Sequence, residues 1–495
     1  MASVRLSRRA LLQTLAPLAS GVWGCGDYPG LPDTPGSRLY PARPSVFPGQ
    51  VLTLHVSSAA PEFRLEFLRQ GLTSELLLQS DWQPGVQVPL QRPDRAFDYP
   101  AYDIPLPATF PPGVYIARLL EGSGGVPLAV QSPSALAGKA EALFVVRTPV
   151  QQARSILYKL PLATYHAYNF TGGGSLYHVA KHHHSGQPLF DLRQRPDASG
   201  VPGGTKVTLL RPGGGAGGDT WHQEIDPYDA SSPRNTFAHW DAPFIAWLEQ
   251  NGYAVDYCVD LDVHQDPDLL ASYPLLLCAG HDEYWSEEQR VHTERYLQGG
   301  GNIGFFTGNT CWWRVRYVDA DTALLCDKHG AKPAPDQWYR NRPEDTLTGV
   351  SYRHAGSWWR SRRTTLGYTV QHADHWVFAN TALAEGDVFG ADDEQPLIGY
   401  ECDGAPFTRA SDGTAVATND PSIGTPENFL ILGVAELGHD WPTKLGQGAT
   451  MGTFSVPGGG TVFNAATIDW VKLLQRNAPV AQITRNVLDR LSSSG

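Results

Sequence analysis

Between residues 38 and 148 apolar and polar positions alternate with a period of two. Leu52, Leu54 and Val56 are interleaved with Thr53, His55 and Ser57, and Phe63, Leu65 and Phe67 with Arg64 and Glu66. Successive strand residues point to opposite faces, so this spacing puts one apolar face on a core and one polar face in water. Pro-Gly pairs stand just before Val51 and Val114, and a last apolar run leads from Leu143 to Val146. The expected element is a β-sandwich over residues 38–148.

After Thr148-Pro149 the pattern changes, and residues 149–495 read as an α/β domain. Gly-rich stretches at Gly172–Gly174 and Gly213–Gly218 are loops rather than phosphate cradles, because no Gly-Lys-Ser or Gly-Lys-Thr follows them. From Pro243 the periods alternate: helix 244–248, strand 253–259, short helix 266–272, strand 275–278, helix 286–298 and strand 302–306. The tail adds a strand at 460–464 and a closing helix at 480–491. Strands and helices joined by short connections predict a parallel sheet covered on both faces.

Composition narrows the class. Over 495 residues, 41% are hydrophobic, 11% aromatic and only 18% charged, which describes buried cores and not a disordered chain. A net charge of -12 without a run of Lys and Arg excludes a nucleic-acid partner. Arg5 and Arg8-Arg9 followed by the apolar stretch 10–24 form an export signal, expected at 1–25, with a Pro- and Gly-rich linker at 26–37. Ser7-Arg8-Arg9-Ala10-Leu11-Leu12 is similar to a twin-arginine signal, and Val22-Trp23-Gly24-Cys25 to a lipoprotein cleavage box. The expected location is the periplasm, or the outer side of a membrane if Cys25 carries a lipid anchor; an ordinary cleaved signal leaves Cys25 idle. The six cysteines include no Cys-x-x-Cys pair, and Cys311 and Cys326 are the best candidates for a bridge.

The segment His281-Asp282-Glu283-Tyr284-Trp285 follows an apolar strand and precedes Ser286-Glu287-Glu288-Gln289, which has the form of a capping box. In open parallel sheets ligands sit beyond the carboxyl ends of strands, so this loop is the candidate site. Glu283 then lies near the positive end of a helix, and Asn309 follows the next strand. The bland alternative is that His281, Asp282 and Asn309 brace turns while Trp285, Trp312 and Trp313 fill a core. A Gly-x-Ser-x-Gly elbow and a His-Glu-x-x-His helix are both missing, and Cys278 falls inside an apolar strand, which argues against nucleophilic or zinc-protease chemistry. His182-His183-His184 is read as solvated loop, since three consecutive ring directions suit no single ion.

Gly280-His281-Asp282-Glu283-Tyr284-Trp285-Ser286, Gly300-Gly301-Asn302-Ile303 and Gly308-Asn309-Thr310-Cys311-Trp312-Trp313 resemble stretches of the N,N-dimethylformamidase large (beta) subunit family. Ala167-Tyr168-Asn169, Gly173-Gly174-Ser175-Leu176-Tyr177, Gly460-Thr461-Val462-Phe463-Asn464 and Ile483-Thr484-Arg485-Asn486 extend the resemblance from about Leu157 to the C-terminus. It implies a glutamine-amidotransferase-like (flavodoxin-like) fold and an amidohydrolase of small amides, with one ferric iron per chain held by two tyrosines and a glutamate. Glu283 carries over as the glutamate, with His281 and Asn309 assisting substrate and water. Tyr168 is the first tyrosine, with Tyr165 close behind. The second is open: Arg211-Pro212 is followed here by Gly213 where some relatives have an aromatic residue, leaving Tyr165, Tyr177, Tyr228 and Tyr257. A small accessory subunit and a homo-oligomer are further implications. The competing expectation is an exported binding protein that keeps the scaffold without the metal.

Overall fold

The computed structural model describes residues 36–128, 140–177, 179, 206–216, 226–234, 236–328, 333–418 and 423–493. The export signal with Cys25, most of the linker, and His182–His184 lie outside the described residues.

The period-two segments form strands Val51–Ser57 and Glu62–Gln70, in which Leu52, Leu54, Val56, Phe63, Leu65 and Phe67 are each at most 1% exposed. Val51–Ser57 lies between Arg38–Pro41 and Ala101–Pro105 in one antiparallel sheet. Glu62–Gln70 pairs with Gly113–Ser123, which pairs in turn with Glu141–Val146, in a second sheet. The two sheets share one apolar cluster that includes Tyr115 and Phe144. Each fully buried Leu or Phe contributes about 1.5–3 kcal/mol.

The remainder is a mixed α/β unit. Its chain order is β1 (Ile156–Leu160), α1 (Leu162–Tyr168), α2 (Asp241–Gln250), β2 (Val255–Val259), α3 (Asp260–Gln265), β3 (Leu275–His281), α4 (Glu287–Gln298), β4 (Asn302–Gly308), β5 (Tyr368–Val370), β6 (Val388–Phe389), β7 (Leu430–Glu436), β8 (Gly448–Ser455), β9 (Thr461–Asn464) and α5 (Ala478–Leu491). Shorter strands join smaller sheets around it. The main sheet runs β2-β1-β3-β4-β9-β8-β7-β5-β6. Strands β2, β1, β3, β4 and β9 are parallel. From β9 to β6 every pair is antiparallel.

The sheet is therefore mixed and not parallel throughout. Helical crossovers between β1 and β4 allow parallel neighbours, whereas the connection 456–460 between β8 and β9 is too short for one and forces a reversal. Two smaller expectations also shift. The helix begins at Asp260, directly after β2, and the 266–272 segment keeps only a 3-10 turn, Leu269–Ser272. Cys311 and Cys326 are free and buried in different apolar clusters, so no bridge joins them. Among the described residues, no helix is long and apolar enough to cross a membrane.

The topology brings chemistry to one edge. β1, β2, β3 and β4 end in Leu160, Val259, His281 and Gly308, so α1, Asp260, the His281–Trp285 loop and Asn309 leave the sheet side by side. Gly280 takes φ +68, which a side chain rarely adopts, and a Cβ there would also strike Trp240. A Cβ on Gly308 would stand 2.6 Å from the carbonyl oxygen of Glu401, so glycine lets strand Glu401–Gly404 approach this edge.

Candidate active site

α1 is a short helix that starts two positions after β1, buries Leu162 to Ala167 and delivers Tyr168 at its last position. The loop after β3 delivers Glu283, whose N–H donates to Thr164 Oγ1 of α1 at 3.0 Å, so the two elements are locked together. Ser286 caps α4, accepting from Gln289 N at 3.1 Å, which fixes the far end of that loop. Tyr177 arrives from the loop that follows α1.

These elements bring three oxygen-bearing side chains to one point. The Tyr168 hydroxyl donates to Glu283 Oε2 at 2.8 Å, and the Tyr177 hydroxyl lies 2.7 Å from Oε1 and 2.9 Å from Oε2. The two hydroxyls are 2.9 Å apart and their rings stack at 4.4 Å. Burial, and then the Glu283 charge, push both phenols well above their ordinary range. Burial alone would raise the Glu283 carboxyl too, but His281, the Lys328 ammonium and the Tyr177 hydroxyl together hold it below its ordinary value.

Charged side chains surround this cluster. His281 Nε2 is 3.3 Å from Glu283 Oε2 and 2.9 Å from Glu401 Oε2. Burial would lower its pKa, but Glu401 and Glu283 outweigh that and push it up to about 10, which favours the charged ring. Asn309 Nδ2 donates to Glu401 Oε2 at 3.1 Å, and the Trp359 indole donates to Oε1 at 2.9 Å. Lys328 donates to the Tyr284 hydroxyl at 2.7 Å and lies 3.1 Å from the centroid of the Tyr177 ring. Trp312 and Trp313 join the aromatic cluster on which Tyr168 and Tyr177 pack.

Of the residues singled out in the sequence, Glu283, His281, Tyr168 and Tyr177 meet directly, and Asn309 joins them through Glu401 rather than touching Glu283. Tyr165, Tyr228 and Tyr257 do not join: Tyr165 donates to buried Asp241, Tyr228 bonds the backbone of Arg363, and Tyr257 packs on Tyr158. Glu401, Lys328 and Trp359 were not legible as site residues. The only signal for Glu401 was two acids spaced by one residue, Glu401 and Asp403, in the strand Glu401–Gly404, which is buried throughout. A cavity of about 350 Å³ between the N-terminal sheets and α1 includes none of these cluster residues.

The N,N-dimethylformamidase beta subunit-like, C-terminal family model matches residues 93–483. The chain belongs to this family. The family match starts inside the N-terminal unit and includes every residue of the cluster just described. No curated protein sequence matches the chain. Among solved structures it is similar to a ThuA-like protein from Parabacteroides merdae ATCC 43184, at 14% identity over 45% of this chain and 70% of that one, with a TM-score of 0.22.

Proposed function

We propose that the chain is a metal-dependent hydrolase of small amides or related non-peptide C–N bonds, with one ferric ion held by Tyr168, Tyr177 and Glu283. The observation that carries this reading is the convergence of two phenol oxygens on one carboxylate within 2.7–2.9 Å. Among the described residues, no group of three His, Cys, Asp or Glu is placed to hold an ion; the set proposed here draws two of its three oxygens from tyrosine. The donor chemistry fits: phenolate and carboxylate oxygens suit a small, highly charged cation, and such a charge offsets the burial that otherwise keeps the two phenols protonated. Tyr177 takes the place left open by Gly213.

When bound, iron supplies a Lewis acid for the amide carbonyl and acidifies water. The chain's own residues do the rest. Glu401, held by Asn309 and Trp359, accepts a proton from the attacking water. His281, bridging Glu401 and Glu283, holds a proton at Nε2 and delivers it to the departing amine nitrogen, which leaves as a neutral amine. Asn309 serves here as a brace for the base, its amide being engaged with Glu401. The aromatic wall of Trp312, Trp313, Tyr168 and Tyr177 excludes water from the reacting carbonyl.

In the same reading, the chain is exported by its twin-arginine-like segment, its scaffold is of the glutamine-amidotransferase type behind an N-terminal β-sandwich, and an accessory subunit completes the enzyme. Metal analysis of purified protein with a visible spectrum tests it. About one iron per chain and a tyrosinate-to-iron band, both lost in Glu283→Ala, are expected. A colourless, metal-free chain that hydrolyses no amide overturns the proposal and leaves the binding-protein reading.

A further inference from the structure

Lys159 sits inside β1 with its ammonium out of contact with water. Its Nζ lies 2.7 Å from Asp260 Oδ1 and 2.8 Å from Asp282 Oδ1, and all three side chains are at most 1% exposed. The ammonium also stands 4.8 Å from the Trp285 ring centroid, and the Trp285 indole donates to Asp282 Oδ1 at 3.0 Å. Removing one partner from such a group leaves a buried charge uncompensated, so each member constrains the position of the others.

The connections lead to the cluster from both sides. Asp282 lies between His281 and Glu283 in the chain. Asp260 Oδ2 accepts from Ala163 N at 2.7 Å, in the first turn of α1, the helix that ends in Tyr168. One α1 hydroxyl, Thr164 Oγ1, receives the N–H groups of Glu283 at 3.0 Å and Tyr284 at 3.3 Å. A single ammonium therefore ties the carboxyl ends of β2 and β3 to β1 and, through Asp260, sets the start of α1.

We infer that Lys159 is a positioning residue for this site: through Asp282 it holds the Glu283 loop, and through Asp260 it holds α1, so that it fixes the separation of Glu283 and Tyr168. The consequence for metal binding rests on the proposed ion site; the consequence for backbone order does not. Partners that bond a metal ligand directly typically contribute about 10–100-fold to metal affinity, and Lys159 reaches the proposed ligands through Asp260 and Asp282.

The test uses the full chain as wild type, Lys159→Met, Lys159→Arg and Asp260→Asn. Hydrogen exchange on the metal-free proteins is expected to show faster exchange in 162–168 and 281–285 in Lys159→Met, with the amides of α5 unchanged, and partial recovery in Lys159→Arg. Titration with ferric iron is expected to show about 10–100-fold weaker binding and a shifted tyrosinate band in Lys159→Met. Wild-type protection in both segments overturns the inference, and so does a uniform loss across the chain, which marks a general brace. If Lys159→Met does not fold, Asp260→Asn decides: exchange must rise in α1 while the 281–285 loop keeps more of its protection. A wild type that takes up no iron defeats the proposed ion site, while the exchange pattern still decides the role of Lys159.

Discussion

Glu401 Oε2 stands 2.9 Å from His281 Nε2, joining the strand Glu401–Gly404 to the last residue of β3. Glu401 is thereby the partner that keeps His281 charged, while lying outside the three oxygens assigned to the ion. Glu401→Gln keeps the shape and the Trp359 bond but loses the charge and the proton acceptor. The expected result is a fall in kcat of about 10²–10⁴-fold with iron content unchanged. Steady-state kinetics and metal analysis on one preparation check it; wild-type kcat, or loss of iron, counts against the assignment.

Tyr177 is separated from the other candidates by geometry alone, since it touches both oxygens of Glu283 while Tyr165 is committed to Asp241. Tyr177→Phe is expected to weaken iron binding and to move the tyrosinate band. Tyr165→Phe, Tyr228→Phe and Tyr257→Phe are expected to leave band position and stoichiometry as in wild type. A Tyr177→Phe protein with an unaltered spectrum would remove Tyr177 from the ligand set.

What was legible in the sequence follows from which interactions are local. Ser286 and Gln289 lie three residues apart and their cap is formed, and Leu52, Leu54 and Val56 carry their burial in a period of two. The strand ends carrying His281 and Asn309 could be placed because strands and helices alternate there. Glu401 could not, because its role depends on a contact across 120 residues that no period encodes: 401 minus 281. The antiparallel half of the sheet was not foreseen because no strand was read between 302–306 and 460–464: β9 keeps the parallel direction, and it is β8 that reverses against it.

Asp403 holds the Asn309 turn. Its carboxylate accepts from Asn309 N at 2.8 Å and Thr310 N at 3.2 Å, while Asn309 and Cys311 occupy left-handed backbone at φ 52 and 54. Asp403→Ala leaves two buried N–H groups without an acceptor, at a cost of about 1–3 kcal/mol each, and releases a turn that is strained without them. Urea unfolding is expected to show that loss. Because Asn309 braces Glu401, kcat should fall while iron is retained; a variant as stable as wild type contradicts the account.

Asp241 gives the pH dependence a named source. It is fully buried, accepts from Tyr158 at 2.8 Å and from Tyr165, and burial pushes its carboxyl up to about 7 against the pull of those hydroxyls. A carboxyl whose folded pKa is raised binds its proton more tightly folded than unfolded, so its contribution is full below the unfolded value of about 3.9 and is lost as pH rises through about 7. The slope from one such group approaches about 1.4 kcal/mol per pH unit inside that window. His166 and His239, depressed by burial to about 3 and about 4, act in the opposite sense and cost stability as pH falls below about 6.5. Comparing wild type with Asp241→Asn cancels the histidines, because both proteins carry them. Urea unfolding of the metal-free proteins at pH 5.5 and 7.5 is therefore expected to show wild type losing about 1–2 kcal/mol more than the variant over that interval. Equal losses in the two proteins would show that Asp241 is ionised across the whole range and that its two tyrosines, rather than a proton, satisfy it.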